Sequence, residues 1–299
     1  MDHEPENIPT EWRDRQIPPE AAQQLLAVRE FPERMAAARV EVKAGCRFLS
    51  YRNRILRIVG PGPPRLMSIK ARDLKWTATM GLELQHALFA AEQLQAIDGW
   101  EPVLKQMAAG RDLPSDGGNS WPRDHQFHAF VAALFASAGY YPRHLEPDIR
   151  VQIDGFEVSC AVKRAHGRNG PYDLLRLGKS QLQKHRVRGF VIIDVSAVIS
   201  PWDNAVAVDD HRPFHAAVTA ALKNVVFETY GKFRYPYPSA SYFGSIWTAT
   251  AMCFDTRKGC VVPATSDVVV CAHGAETPQS KRLVAIRNIL FTSAKWPCL

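Results

Sequence analysis

The sequence predicts an α/β fold, a mixed sheet flanked by helices, and three observations predict it. Two short strand-like runs, DIRVQI (148–153) and FEVSCAV (156–162), flank Asp154-Gly155, the dipeptide most typical of a tight hairpin turn. The nearly continuous apolar run FVIIDVSAV (190–198) has the composition of a strand covered on both faces. Segments of helical periodicity precede, separate and follow these strands, so the local order is α-β-β-α-β.

In chain order, Leu25, Val28, Phe31, Met35 and Ala38 recur near helical spacing between Pro18 and about Lys43, with Pro18-Pro19 as the entry signal. The stretch CRFLSYRNRILRIVG (46–60) alternates in part and predicts a short strand or hairpin, ended by the breaker Gly60-Pro61-Gly62-Pro63-Pro64. Leu84, Ala87, Leu88, Ala91 and Leu94 predict a helix from about Leu82 to Ala96. RDLPSDGGNSWP (111–122) reads as a loop, and the apolar face from Phe127 to Ala138 as a helix that Gly139 ends.

After the hairpin, a helix from about Tyr172 to His185 leads into the apolar strand. Beyond Pro201 come a helix (about Pro213 to Tyr230), an aromatic, proline-rich link (FRYPYPSASYF, 233–243), and the strands SIWTATAMCF and CVVPATSDVVVCAH. A last helix runs from about Thr277 to Ser293. The organisation expected is a mainly helical region (1–115), a core (116–200) and an α/β extension (201–299) that continues or packs on that core.

Apolar residues make up 46% and charged residues 22% of the 299, an ordinary globular balance that excludes a disordered tail protein. No apolar run approaches the ~18 residues needed to span a bilayer, and the acidic start lacks a secretory signal, so the expected location is cytoplasmic with no membrane contact. The six cysteines lack CxxC spacing and read as small buried hydrophobes. The net charge of +7 makes a polyanion a reasonable partner. Much of it is local: Lys163, Arg164, Arg168, Arg176, Lys179, Lys184, Arg186 and Arg188 are opposed in that stretch only by Asp173.

Metal-assisted phosphodiester hydrolysis needs hard oxygen ligands and a cation near the attacking water. In LEPDIRVQIDGFEVSCAVKR, Asp148 opens the first hairpin strand and Lys163 lies near the end of the second, so the turn makes them neighbours. Period-two alternation places Ala161 and Lys163 on one face. With Pro147-Asp148, the hairpin, the lysine and the following helix and strand, the segment from about Asp124 to Val198 resembles the PD-(D/E)XK nuclease superfamily.

That resemblance implies a restriction-endonuclease-like core and a Mg²⁺-dependent DNA endonuclease, with Mn²⁺ as an alternative ion, RNA as an alternative substrate, and restriction or phage defence as a setting. Asp148 and Lys163 would be catalytic, and the acid expected two residues before the lysine is Ala161. Metal ligands would be Asp148, the Val162 backbone carbonyl, and Asp124 or His128 from the preceding helix. Glu157 shares the strand parity of Ala161 but lies roughly 13 Å along the strand. The next helix, where some members carry the acid, offers Gln181 and Gln183; Gln181 joins the catalytic candidates. Asp124 reads equally well as a first-turn helix acid.

Alanine at 161 predicts an inactive chain, through an introduced change in preference to a naturally degenerate nuclease or a migrated acid. Arg164, Lys179, Lys184, Arg186 and Arg188 are the candidate phosphate contacts. His211 and His215 have metal-pair spacing, but Pro213 intervenes and the glutamate of an HExxH motif is missing. The alternatives are a non-catalytic nucleic-acid-binding protein, or a protein-interaction subunit with a homo-oligomer or protein partner docking on the terminal regions.

Overall fold

A seven-stranded mixed sheet organises the computed structural model, which describes residues 26–59, 71–108, 121–166, 170–199, 206–232, 241–255, 260–273 and 276–293. The strands are β1 (Arg143–Leu145), β2 (Asp148–Ile153), β3 (Phe156–Arg164), β4 (Gly189–Asp194), β5 (Val206–Val208), β6 (Tyr242–Asp255) and β7 (Cys260–Cys271). The helices are α1 (Phe31–Ala37), α2 (Arg47–Val59), α3 (Ala71–Leu94), α4 (Glu101–Met107), α5 (Trp121–Ser137), α6 (Gly170–Lys184), α7 (Ser196–Ile199), α8 (His211–Gly231) and α9 (Pro278–Asn288), the last followed by a π-helical turn, Ile289–Ser293.

β1, β2 and β3 are antiparallel neighbours, whereas β3, β4 and β6 run parallel. β6 is long enough to pair β4 with its first half, β5 with Cys253–Asp255, and β7 along Gly244–Asp255. The β2–β3 hairpin turns on Asp154 and Gly155 with φ of 48° and 80°, the double positive φ of a turn whose twist matches the strands. Gly139, at φ 90°, ends α5 as its place in the sequence predicts.

Strand alternation sends β3 side chains into two separate cores. Val158, Cys160 and Val162 pack with the α1–α5 side, in an apolar cluster running from Val28 to Leu290. Ala161 packs on the other face with Leu175 and Leu182 of α6, Val191 and Ile193 of β4, and Leu222 of α8. The N-terminal helices and the C-terminal strands therefore share cores with the central hairpin. No described helix is long and apolar enough to cross a membrane.

The helix α3 begins at Ala71, well before the predicted Leu82, α4, β1 and β5 have no predicted counterpart, and two further segments differ from what the sequence predicts. The stretch expected as a strand or hairpin after Cys46 is the helix α2: Phe48, Tyr51 and Ile55 are buried while Asn53, Arg54 and Arg57 are exposed. That spacing is helical, and burial of the stripe outweighs the local alternation. The apolar strand β4 stops at Asp194, because its carboxylate accepts the Ser196 N–H at 2.9 Å and starts α7. The Pro18-Pro19 entry signal, the Gly60–Pro64 breaker, the loop at 111–120 and residues 233–240 of the aromatic link lie outside the described residues.

Close backbone approach at Gly189 sets the β3–β4 spacing. A Cβ there would lie 1.8 Å from the Ser159 carbonyl oxygen, whereas at Gly178 it would meet Val191 methyls at 2.7 Å, which can shift. Gly189→Ala is expected to cost at least ~2 kcal/mol in urea unfolding, at the upper part of overpacking costs, and more than Gly178→Ala. Equal midpoints for Gly189→Ala and the parent would contradict this reading of the sheet.

Candidate functional site

The hairpin register brings Asp148 to the tip of β3. Ile149 pairs with Cys160, so Asp148, one step back, stands beside Ala161. Its Oδ2 accepts the Val162 backbone N–H at 2.7 Å and the Lys163 ammonium at 2.7 Å. The same ammonium donates to the Val162 carbonyl at 3.0 Å. Only 9% of the Lys163 and 12% of the Asp148 side chain is exposed, so this pair is shielded from solvent.

α5 contributes imidazoles to the same place. His128 donates through Nε2 to the Val162 carbonyl at 3.0 Å, leaving Nδ1 4.0 Å from Asp148 Oδ1. Burial holds His128 below its ordinary pKa, although Asp148 pulls the other way, so the ring is neutral near pH 7. His125 packs edge-on to it, ring centroids 5.9 Å apart. Asp124, one turn earlier, turns to His166 at 2.9 Å. Of the two metal-ligand candidates on this helix, His128 is therefore the one beside Asp148. His125 and His166 were not singled out in the sequence, where neither belongs to a motif.

Position 161 is closed. The Ala161 methyl is wholly buried among Leu175, Leu182, Val191 and Ile193. Gln181 lies on α6 with a buried Oε1 that has no hydrogen bond among the described residues. Glu157 stands near the far end of the hairpin, held by Arg143 and Arg150.

Mg²⁺ takes near-octahedral oxygen coordination with one or two carboxylates. Here the available protein oxygens are the Asp148 carboxylate and the Val162 carbonyl, and the Lys163 ammonium binds both. The third position is a methyl group, and among the described residues no three His, Cys, Asp or Glu side chains converge at metal-binding spacing. Both of these oxygens are engaged by the Lys163 ammonium.

The five candidate phosphate contacts do not form one surface with this site. Arg164 lies on the α3–α5 side and pairs through Nε with Asp194 Oδ2 at 3.0 Å. Lys179 lies over the Tyr242 ring, 4.9 Å from its centroid, and burial lowers its pKa. Lys184, Arg186 and Arg188 are exposed around the turn from α6 to β4, where the Arg188 carbonyl accepts the Ser159 N–H. Ser159 is four residues down β3 from Lys163, roughly 13 Å, so the candidate phosphate contacts are divided between the two ends of the strand. His211 and His215 also part: the first meets Asp255 at 3.1 Å and the second the Thr265 carbonyl.

No protein-family model, curated protein or solved structure matches this chain. The resemblance of the hairpin segment to nucleases rests on its own residues.

Breaking the central pair has a measurable cost. Lys163→Met strands the Asp148 carboxylate in a shielded position and is expected to lose ~3 kcal/mol in urea unfolding, while adding Asp148→Asn recovers most of it. Additive losses in the double variant would refute the coupling. A pH dependence follows from the buried imidazoles. His86, stacked on Phe130 at 3.9 Å, is driven by burial to a pKa of about 3, and burial also lowers His128. The unfolded chain protonates first, so this stability is fully present above pH ~6.5 and falls as pH drops, by up to ~1.4 kcal/mol per unit for each ring. His86→Phe is expected to flatten the profile between pH 6.5 and 4.5; an unchanged slope would show that His86 is not buried neutral.

Proposed function

We propose that this chain is a PD-(D/E)XK-type nuclease scaffold that engages DNA and, with alanine at 161, does not cleave it. The observation that carries this reading is the Asp148 carboxylate joined to both the Val162 N–H and the Lys163 ammonium at the open end of the hairpin. A proline-aspartate strand start, a two-residue turn and a lysine thus meet in one shielded spot with a histidine from the preceding helix. Lys163 is the group that would stabilise negative charge developing on a phosphate oxygen, and Asp148 holds it in place. The sheet order β2-β3-β4, with α5 and α6 on opposite faces, is compatible with a restriction-endonuclease-like core.

A second reading, a binding protein that never cleaved, is favoured by the packing of Ala161 and by the ammonium already seated on Asp148 and the Val162 carbonyl. Ala161→Glu separates the two. If the scaffold is a nuclease, the variant cuts a labelled duplex with Mg²⁺ or Mn²⁺, and Asp148→Asn added to it abolishes cutting. Its thermal midpoint should also rise with Mg²⁺, because a carboxylate in this apolar layer costs several kcal/mol until a cation joins it. Salt-dependent DNA binding with no cleavage of duplex, single strand or RNA would establish the binding protein instead. Absence of both cleavage and salt-dependent binding would sink the nucleic-acid reading and leave the protein-interaction subunit.

A further inference from the structure

Two outer strands of the sheet are built differently. β1 is three exposed residues, and its Arg143 is ion-paired to Glu157, the short, charged form that keeps an edge from pairing. β7 is 12 residues long, pairs only with β6 among the described strands, and ends in the run Val268-Val269-Val270-Cys271, which holds neither charge nor proline. These residues are only partly buried: Val268 and Val270 border the core under α8, Val269 and Cys271 the core under α9.

The phase of the ladder decides which main-chain groups of β7 are engaged. The Ala272 N–H donates to the Phe243 carbonyl at 3.0 Å, one step beyond the Gly244–Cys271 pair, so even-numbered residues of β7 turn their N–H and C=O to β6. Odd-numbered residues turn theirs outward. Pro263 stands at such an outward position, where the donor it lacks is one the β6 ladder does not use. The Thr265 carbonyl accepts from the His215 imidazole and the His273 carbonyl from the Ser280 hydroxyl. Between these two stops, the outward main-chain groups of Asp267, Val269 and Cys271 meet no partner among the described residues. The open window is therefore centred on Val269.

We propose that a second copy of this chain occupies this edge, the two β7 strands pairing antiparallel about a two-fold axis at Val269. The window is its own complement: Val269 meets its counterpart, Asp267 meets Cys271, and Val268 faces Val270 in apolar cross-strand pairs. α9 returns along β7, with Ser280 at His273 and Arg287 at Asp267, so Val284, 46% exposed, lies between them and comes toward the axis. Charge permits the approach. Asp267, the charged residue of the window, is neutralised within each copy by Arg287 at 2.7 and 2.9 Å, so two chains of net charge +7 meet at a neutral strip and bury no unpaired charge. A strip ~17 Å long, as deep as one sheet and two helix layers at ~30 Å, covers ~500 Å² per copy, at the lower end for specific association. The dimer is accordingly reversible. β4 and β6 separate Asp148 and Lys163 from this edge, so the assignment is independent of the nuclease reading.

Sedimentation velocity of the full chain from about 1 to about 200 µM is expected to show a monomer–dimer equilibrium with a Kd on the order of 10 µM. Val269→Lys, which sets like charges against each other on the axis, should weaken dimerisation at least ~100-fold. Val269→Pro should do the same with the circular dichroism of the parent retained, because the N–H it removes points away from β6. Phe227→Lys, at an 80% exposed position of α8, should leave the Kd unchanged. Val269→Cys keeps the test open should either edge substitution unfold the chain: on mild oxidation it should form the intermolecular disulfide at least ~10-fold faster than the parent, whose Cys271 the pairing sets against Asp267. A monomer throughout this range, a Kd unaffected by both Val269→Lys and Val269→Pro, loss of the dimer in Phe227→Lys, or no faster cross-linking of Val269→Cys would each overturn the assignment.

Discussion

The contact on which the open end of the hairpin depends is the Asp148 carboxylate held by the Val162 N–H and the Lys163 ammonium. It ties the first residue of β2 to the C-terminal end of β3, so this end of the hairpin is fixed by charge as well as by the strand ladder. In so shielded a place either charge alone would be costly, and the pair is stable because both are present and hydrogen-bonded. The same arrangement has a chemical consequence. The lysine neutralises the carboxylate and caps the neighbouring carbonyl, the two oxygens that the nuclease resemblance assigns to a divalent ion.

β3 is the strand through which everything else is organised, because its alternating side chains supply two different environments. Odd-numbered positions place Ala161 under α6 and bring Lys163 round to Asp148. Even-numbered positions place Val162 in the larger core and Arg164 beside Asp194 on the α3–α5 side. Adjacent residues at one strand end thus face opposite layers, and a one-residue slip of register would exchange them.

The sequence made the hairpin legible because Asp-Gly supplies two positive-φ residues where the turn needs them, and alternation then fixed which residues share a face. Asp148 and Lys163 follow from that register alone. What local pattern could not show was long-range partnership. The helix α2 is decided by burial of Phe48, Tyr51 and Ile55 against other helices, which a window around Arg47 does not contain. Arg164 reads as a free cation until Asp194, thirty residues on, draws it to the other face. The three residues Lys184, Arg186 and Arg188 follow Lys163 in the chain but lie at the opposite end of the strand, because α6 returns antiparallel before β4 begins.

We propose that Lys163 holds the place of a metal because position 161 offers no oxygen. Electron paramagnetic resonance of Mn²⁺ tests it directly, since bound ion leaves the free six-line signal. The parent chain is then expected to leave a submillimolar Mn²⁺ signal undiminished, and Ala161→Glu to deplete it toward one ion per chain. Stoichiometric depletion by the parent chain, removed by Asp148→Asn, would contradict it.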